Sequence, residues 1–229
     1  MRCTVIVPVR NEEQTIGRVV ETAAASPLVD DVLVVDGRSE DDTRAEAERH
    51  GARVLVQATG GKGEAMSLGV HATSSELVVF LDGDLTGLAP YHVDRLVRTV
   101  ASGGVVMSCG LFDRGPLSNL LFLHVLPILT GQRCMRRELF EGLDPRDVQG
   151  YRIEAALNCR AAELGEPLAA FVCTGLFHRT KEEKHRTPLQ GRIAKLAMLG
   201  TAFGAYGRYL VQRRRRRASV ARRAEAGAS

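Results

Sequence analysis

Short, almost continuous runs of Val, Leu and Ile recur along the first third of the chain and alternate with longer amphipathic stretches. The apolar runs predict four strands, at residues 3–9, 31–36, 53–56 and 76–81. The stretches between them predict three helices, at residues 11–25, 39–50 and 63–72. Strands that are apolar on both faces and separated by helices are typical of a parallel sheet covered on both sides. The pattern therefore predicts an α/β fold.

Beyond residue 90 the pattern is less regular. It predicts helices at residues 91–101, 148–164 and 189–210, and strands at 105–109 and 168–173. The apolar segment 117–130 is shorter than the roughly 20 residues of a membrane span, and Pro127 interrupts it. We expect this segment to pack in the core or in an oligomer such as a homodimer. The apolar stripe of the last helix suits packing on the domain or contact with a membrane surface.

Polar residues predict where two of the helices begin. Asn11 is suited to cap the first helix, with Glu12 at its positive end. Ser39 is suited to cap the second helix, with Asp41 and Asp42 in its first turn. These capping roles explain the polar loops without any ligand. Taken alone, each loop would be an ordinary turn.

Asp82-Gly83-Asp84 follows the fourth strand directly and is the most informative motif of the chain. Residues i and i+2 of an extended backbone lie on the same side, so the two carboxylates can converge on one cation. Gly83 allows another group to approach the backbone closely. Carboxylate oxygens suit Mg²⁺ or Mn²⁺ that carries a phosphorylated ligand. The motif predicts a metal site, although an isolated Asp-Gly-Asp is more often an acidic turn.

Other polar residues follow the first three strands. Pro8 lies at the end of the first strand, and Arg10 and Glu12 follow it. Asp36 ends the second strand, and Lys62 lies in a glycine-rich loop after the third. The amides of such a loop and the start of the next helix form an anion site. The loop is not a Walker motif, because Gly-Lys-Ser/Thr is absent. Ligands of parallel sheets bind beyond the carboxyl ends of the strands, where all these residues are expected.

Composition bounds the function further. The 229 residues carry a net charge of +4, but residues 212–229 contain seven Arg and one Glu, so the remainder is close to −2. We expect a disordered basic tail that is either solvated or attached to an anionic membrane, at about 1 kcal/mol per basic residue. Nucleic-acid binding is not expected, because aromatic residues do not accompany the arginines.

The cysteines and the N-terminus suggest a compartment. Five cysteines, odd in number and without metal-ligand spacing, favour reduced thiols in the cytosol. Met-Arg is followed at once by a strand pattern, which argues against a secretory signal. We therefore expect a cytoplasmic protein, at the inner face of the membrane if the basic tail binds lipid.

Four segments, at residues 5–13, 34–43, 61–63 and 81–84, together resemble family 2 glycosyltransferases of the GT-A fold. The resemblance implies a Rossmann-like, mostly parallel sheet flanked by helices, followed here by a C-terminal helix and the basic tail. It implies a DxD motif, Asp82 and Asp84, that holds Mg²⁺ or Mn²⁺ on a diphosphate. It also implies a nucleotide-sugar site formed by Pro8, Arg10, Glu12, Asp36, Lys62, Asp82 and Gly83.

The second half extends the resemblance. Residues 150–157 are similar to a helix shared by polyprenyl-phosphate sugar transferases and glucosyl-phosphoglycerate synthases, which makes Glu154 a catalytic candidate. Gly131, Gln132 and Arg133 resemble the acceptor-facing loop of those enzymes, and His178 resembles a histidine that binds the metal. Asp36-Gly37-Arg38 departs from the commoner pair of adjacent aspartates, so the identity of the base stays open.

These features predict one catalytic domain, residues 1–211, with a nucleotide-binding half (1–110) and an acceptor-binding half (111–211). The predicted reaction moves a sugar from a nucleoside diphosphate sugar, UDP-sugar favoured, to a phosphate-bearing acceptor. Asp84 would hold the metal, Arg133 would grip the acceptor anion, and Glu154 would orient or deprotonate its hydroxyl. Polyprenyl phosphate is the favoured acceptor because it gives the arginine tail a role. A small anionic metabolite, such as phosphoglycerate, is the alternative.

Two other classes of function remain open. A sugar-phosphate nucleotidyltransferase also uses a parallel sheet, a glycine-rich loop with lysine and metal-binding aspartates. Its glycine loop usually follows the first strand, however, where this chain has Pro8 and Arg10. A non-catalytic nucleotide-binding or scaffold protein is the other reading, and the intact carboxylates of Asp82 and Asp84 argue against it.

Overall fold

A computed structural model describes residues 1–58, 61–113, 115, 119, 130–148, 152–178, 207 and 211. The first half alternates strands and helices: β1 (Cys3–Val9), α1 (Ile16–Ala24), β2 (Asp31–Asp36), α2 (Thr43–Arg49), β3 (Arg53–Val56), α3 (Lys62–His71) and β4 (Leu77–Phe80). A short β5 (Leu85–Thr86) and α4 (Pro90–Ala101) follow. The remaining elements are β6 (Met107–Phe112), β7 (Arg133–Arg136), α5 (Arg137–Glu141), a 3₁₀ turn (Pro145–Asp147), α6 (Arg152–Leu164), β8 (Leu168–Cys173) and β9 (Phe177–His178).

Seven of the strands form one sheet, in the order β3-β2-β1-β4-β7-β6-β8, and β5 pairs with β9 in a separate ribbon. The pairs β1/β2, β1/β4, β2/β3 and β6/β8 are parallel, whereas β7 runs antiparallel to both β4 and β6. The carboxyl ends of β1 to β4 therefore meet at one edge of the sheet. Because β7 is reversed, its first residue lies at this same edge.

Each face of the sheet is covered by helices. Val5, Val7 and Val9 pack with α1 and α4 on one face, and Ile6 packs with α3, α5 and α6 on the other. Successive residues of a strand point to opposite faces, so the continuous apolar run of β1 supplies both cores. The predicted mostly parallel sheet flanked by helices is confirmed.

The predicted helix starts were too early in the first two helices. Asn11 has a left-handed backbone, φ 57°, so it lies outside α1, whose cap position is Thr15. The N-cap position of the second helix is Asp42, without a capping bond from its side chain, and Ser39 lies before the helix and hydrogen-bonds Asp36. The short strands β5, β7 and β9 were not predicted.

Some predictions lie outside the described residues. These concern Gly60, most of the apolar segment 117–130, Gly150, Tyr151, almost all of the last helix (189–210) and the basic tail (212–229). The domain boundary at residue 211 therefore stays a prediction.

Candidate active site

Polar side chains from four elements meet at the carboxyl edge of the sheet. Asp82 follows β4, Lys62 is the first residue of α3, Gln132 precedes β7, and Glu154 lies in the first turn of α6. Gln132 reaches this edge because Arg133, the next residue, pairs with Phe80 at the end of β4. The structure thus brings together four of the predicted site residues, which lie up to 92 positions apart in the chain.

The Asp82 carboxylate is held on both sides by protein groups. Lys62 Nζ lies 2.6 Å from Asp82 Oδ1, and Gln132 Nε2 donates to Asp82 Oδ2 at 2.6 Å. Thr130 donates to the amide oxygen of Gln132 at 2.6 Å, so the amide is fixed in this orientation. A Cβ atom at Gly131 would overlap the Asp82 carboxylate, which explains a glycine there. Asp82 therefore orders Lys62 and the Gly131–Gln132 loop, whether or not it also binds a metal.

Lys62 bridges two carboxylates. Its ammonium also lies 3.5 Å from Glu154 Oε1, and the Lys62 side chain is 28% exposed, against 8% for Glu154. Burial lowers the pKa of Lys62, but the charges of Asp82 and Glu154 outweigh it and raise the pKa above the ordinary value of 10.5. Lys62 is consequently a fixed cation throughout the physiological pH range, with part of its surface open to an incoming anion.

The side chain of Asp36 supports a loop of the protein. It is fully buried, and its oxygens accept hydrogen bonds from the Ser39 amide at 3.1 Å and the Ser39 hydroxyl at 2.5 Å. Arg44 Nε lies 3.5 Å from it on the outer side. The predicted contact between Asp36 and a nucleotide is at odds with this position, because the carboxylate is already used to hold the β2–α2 loop.

The loops that follow β1 and β2 are joined by hydrogen bonds. Asn11 N–H donates to Ser39 Oγ at 2.9 Å, Glu40 N–H donates to Asn11 Oδ1 at 2.9 Å, and Glu12 N–H donates to Thr43 Oγ1 at 2.8 Å. Asn11 and Arg38 both have left-handed backbones, φ 57° and 62°. Such strain persists only where the surroundings enforce it, and it is common at ligand sites.

The predicted nucleotide residues of the first loop lie beside this junction. Arg10 is exposed, whereas Pro8 and Glu12 are half-buried. The same loop is tied to the acidic turn, because Thr15 Oγ1 donates to the Gly83 carbonyl at 2.8 Å. A Cβ atom at Gly83 would lie 2.5 Å from Val9 Cγ1, so the turn packs directly against the end of β1.

Arg133 does not occupy the predicted acceptor-facing position. Its side chain is fully buried. Its guanidinium donates to the Thr130 carbonyl at 2.7 Å, to Asn158 Oδ1 at 2.8 Å and to the Glu154 carbonyl at 3.5 Å. Because β7 begins at Arg133, the side chain points to one face of the sheet, under α6. The prediction that Arg133 grips the acceptor or takes part in catalysis is therefore corrected: it supports the Thr130–Gln132 loop and the first turn of α6.

The ribbon of β5 and β9 brings two predicted metal ligands to neighbouring backbone positions. His178 pairs with Leu85, the residue that follows Asp84. Asp84 is half-buried. Within the described residues no group of three or more His, Cys, Asp or Glu side chains could hold a metal alone. Mg²⁺ is usually bound by one or two protein carboxylates together with substrate phosphates, so the Asp84 carboxylate suits an ion that arrives with a diphosphate.

Sequence reasoning missed several residues that shape the site. Thr15 was not predicted, although Ser or Thr close to a helix start is a recognisable signal. Thr130 was not predicted as a site residue either, because its hydrogen bond to Gln132 depends on the tertiary fold. All five cysteines are buried and none forms a disulfide. Burial and Asp30 raise the pKa of the Cys3 thiol to about 12, so Cys3 offers no reactive thiolate.

The fold and the polar cluster at the carboxyl edge of its sheet are those expected of a GT-A glycosyltransferase, and the sequence comparison agrees. Residues 4–151 match the sequence model of the family Glycosyl transferase family 2, and the chain belongs to that family. An uncharacterized glycosyltransferase of Mycobacterium tuberculosis is 42% identical over 187 residues, which are 69% of this chain and 79% of the relative. The predicted family resemblance is thereby confirmed.

Glucosyl-3-phosphoglycerate synthase of Mycobacterium tuberculosis is 37% identical over 124 residues, 50% of this chain. The match spans 38% of the synthase, less than half of its length. A crystal structure of that synthase with Mn²⁺, UDP-glucose and phosphoglyceric acid has a TM-score of 0.70 at 28% identity, and covers 90% of this chain and 80% of the synthase. Another, with Mg²⁺ and UDP, has a TM-score of 0.68 at 30% identity, over 82% and 73%.

In the described part of the chain, every helix is too short or too polar to span a membrane.

Proposed function

We propose that this protein transfers a sugar from a UDP-sugar to a small phosphate-bearing acceptor, such as a phosphoglycerate, with the help of Mg²⁺ or Mn²⁺. Membership of glycosyl transferase family 2 supports the reaction class. The observation that carries the proposal is the Lys62 ammonium placed between Asp82 and Glu154 at the carboxyl edge of the sheet. A fixed cation there suits the negative charge that develops on a departing nucleoside diphosphate.

On the donor side, the interlocked loops would hold the nucleotide. We assign the base and ribose to the surface formed by Pro8, Arg10 and Glu12, with Gly83 below it. Asp36 would act indirectly, by holding the loop at Ser39. Lys62 would bind the diphosphate, and Asp82 would keep Lys62 in position.

Asp84 and His178 are the residues proposed to hold the divalent ion, with Asp82 close by. When bound, such an ion neutralises the diphosphate and makes it a better leaving group. Lys62, the first residue of α3, would add a second positive charge next to the diphosphate. The two contributions come from separate parts of the chain, so they can be tested separately.

On the acceptor side, Glu154 is the proposed catalytic residue. Its carboxylate is almost fully buried, and its Oε1 lies 3.5 Å from the Lys62 ammonium, which holds it in position. It can accept a hydrogen bond from an acceptor hydroxyl and take its proton as the new bond to the sugar forms. Gly131 and Gln132 would form the adjoining wall, since the amide of Gln132 is locked by Asp82 and Thr130.

The choice of acceptor reverses the one favoured from the sequence. The arginine tail favoured polyprenyl phosphate, but the solved synthases that share this fold bind phosphoglyceric acid or glucosyl-3-phosphoglycerate. A lipid acceptor and a membrane contact have no comparable support. The nucleotidyltransferase reading is also disfavoured, because the loop after β1 is the Asn11 junction and carries no glycine-rich phosphate loop.

A binding panel and a transfer assay test the proposal. UDP, GDP, CDP and dTDP are compared by thermal shift, each with and without Mn²⁺, and we expect UDP with Mn²⁺ to stabilise most. A ligand at 100 times its Kd should add about 2.7 kcal/mol. UDP-glucose is then incubated with 3-phosphoglycerate or with a polyprenyl phosphate. Transfer only to the lipid would overturn the acceptor assignment, and stabilisation by no nucleotide would overturn the function.

A further inference from the structure

The first turn of α4 is bonded to the turn that precedes β9. Tyr91 Oη donates to the Thr174 carbonyl at 3.1 Å, and His92 Nε2 lies 3.1 Å from the same oxygen. The other ring nitrogen, His92 Nδ1, accepts from the Ala89 amide at 3.1 Å. This acceptor role places the proton on Nε2, which then donates to Thr174. One backbone carbonyl therefore receives two side-chain donors from adjacent residues.

The helix that provides these donors is firmly seated. Val93, Leu96, Val97 and Val100 are buried on one side of α4. The guanidinium of Arg95 lies 4.1 Å from the centre of the Phe171 ring on β8. The helix is thus fixed against the strand that leads into the Thr174 turn, and its first turn is a rigid reference point.

The bonded turn controls where β9 begins. After β8 the chain reverses at Thr174 and Gly175, which has a left-handed backbone with φ 77°, and the Leu176 amide bonds the Cys173 carbonyl at 3.1 Å. Leu176 is buried in the hydrophobic core, so its side chain also anchors the turn. Two residues later His178 pairs with Leu85, next to Asp84.

These contacts close a ring of local structure: Asp84, β5, the start of α4, the Thr174 turn and β9, which pairs back onto β5. We propose that Tyr91 and His92 are positioning residues that fix the spacing between Asp84 and His178, and with it the affinity for the divalent ion. This inference rests on the proposed function, because it takes Asp84 and His178 as the residues that hold the ion. Partners that orient metal ligands commonly change metal affinity 10- to 100-fold when they are removed.

Two substitutions of His92 separate its two hydrogen bonds. His92→Asn keeps an acceptor near the Nδ1 position, for Ala89, and removes the donor to Thr174. His92→Gln does the reverse, because its amide reaches the Nε2 position. Tyr91→Phe removes the second donor from an exposed side chain, so it leaves the fold intact. His178→Ala is the positive control for loss of metal binding.

Binding of Mn²⁺ in the presence of UDP is measured on the full chain from the free-Mn²⁺ electron paramagnetic resonance signal. We expect roughly tenfold weaker Mn²⁺ binding for His92→Asn combined with Tyr91→Phe, and less than about threefold for His92→Gln. Binding of UDP alone should be the same in all variants. In the transfer assay the Mn²⁺ requirement should rise while kcat at saturating Mn²⁺ stays close to wild type.

Each result decides the matter. Wild-type affinity for Mn²⁺ in the double variant would overturn the inference and leave the proposed function standing. A larger loss in His92→Gln than in His92→Asn would show that the ring acts only by capping α4 at Ala89, and would overturn the inference. Absence of Mn²⁺ binding by the wild-type protein with UDP would remove the proposed function and this inference together.

Discussion

At the scale of single residues, Lys62 is the group on which most of the site depends. Replacing it with Gln leaves the carboxylates of Asp82 and Glu154 close together without a cation. We expect kcat to fall about 10²- to 10³-fold, as for the loss of one charge-stabilising donor. Unfolding in urea should show destabilisation as well, because partly buried charges lose their partner.

A double-mutant cycle separates the ion pair from other effects of the substitution. Lys62→Gln, Asp82→Asn and the double variant should give a coupling energy of about 0.5–3 kcal/mol. Arg49→Gln is the control, since Arg49 pairs with Glu46 on the surface and such pairs contribute about 1 kcal/mol or less. A coupling energy near zero would contradict the bridging role of Lys62.

Gly131 provides a steric test of the same cluster. A methyl group there overlaps the Asp82 carboxylate, so Gly131→Ala must displace Asp82, Lys62 or the loop. We expect destabilisation of about 1–3 kcal/mol and a fall in transfer rate. Gly104→Ala is the matched control, because its Cβ meets no atom within 4 Å. Similar activity in the two variants would show that Asp82 need not hold this position.

The sequence predicted the edge of the sheet at which Lys62 and Asp82 meet but misplaced the side chain of Arg133, and the difference has a physical cause. Lys62 and Asp82 lie directly beyond strand ends, where residues of parallel sheets face the ligand side. Arg133 begins a four-residue strand with no detectable alternation, so its direction depends on the pairing with Phe80. A side chain can be assigned to a site from the sequence only when the strand or helix that carries it, and the pairing of that element, can also be predicted.

At the scale of elements, the junction of β1 and α1 supports the acidic turn through Thr15. Thr15→Val is nearly isosteric but removes the donor to the Gly83 carbonyl. We expect a loss of about 1 kcal/mol in the free energy of unfolding, typical of one hydrogen bond, and a fall in kcat as Asp84 shifts. Thr15→Ser keeps the hydroxyl and is the control. Equal transfer rates in the Val and Ser variants would refute the coupling.

The long elements were predictable and the short ones were not. The strands β1, β2 and β3 were predicted with the bounds the structure has, because their apolar runs are bounded by polar residues. The two-residue strands β5 and β9 are too short to show a hydrophobic periodicity, and they form through pairing between positions about 90 residues apart. The contact that brings His178 beside Leu85 is therefore a property of the tertiary fold.

At the scale of the whole molecule, the α/β class followed from the alternation of strands and helices, and the same alternation predicts that the candidate site lies at the carboxyl edge of the sheet. The reversal at β7 did not, because no local pattern distinguishes an antiparallel insertion from a parallel strand. The reversal matters for the proposed function, since it brings Gly131 and Gln132 to the edge where Asp82 lies. The order of strands thus builds a site from residues that the sequence places far apart.

The stability of the whole fold should depend on pH through His92. Burial lowers the pKa of His92 below its usual value of 6.5, and this outweighs the opposite effect of the bond to Thr174. The folded state therefore favours the neutral ring, whereas the unfolded chain takes up a proton below pH 6.5. The contribution of this residue is complete above pH 6.5 and is lost as pH falls toward the lowered pKa of the folded state.

Urea unfolding of the wild type and of His92→Gln at pH 7.5, 6.5 and 5.5 measures this contribution. Other titrating groups affect both proteins alike, so only the difference between them reports on His92. One proton per molecule corresponds to about 1.4 kcal/mol per pH unit at most. We expect the wild type to lose more stability than the variant between pH 6.5 and 5.5, by up to about 1 kcal/mol. Parallel pH curves would mean that the ring protonates as readily in the folded state as in the unfolded chain, and the bond that Nδ1 accepts from the Ala89 amide would then not hold the ring neutral.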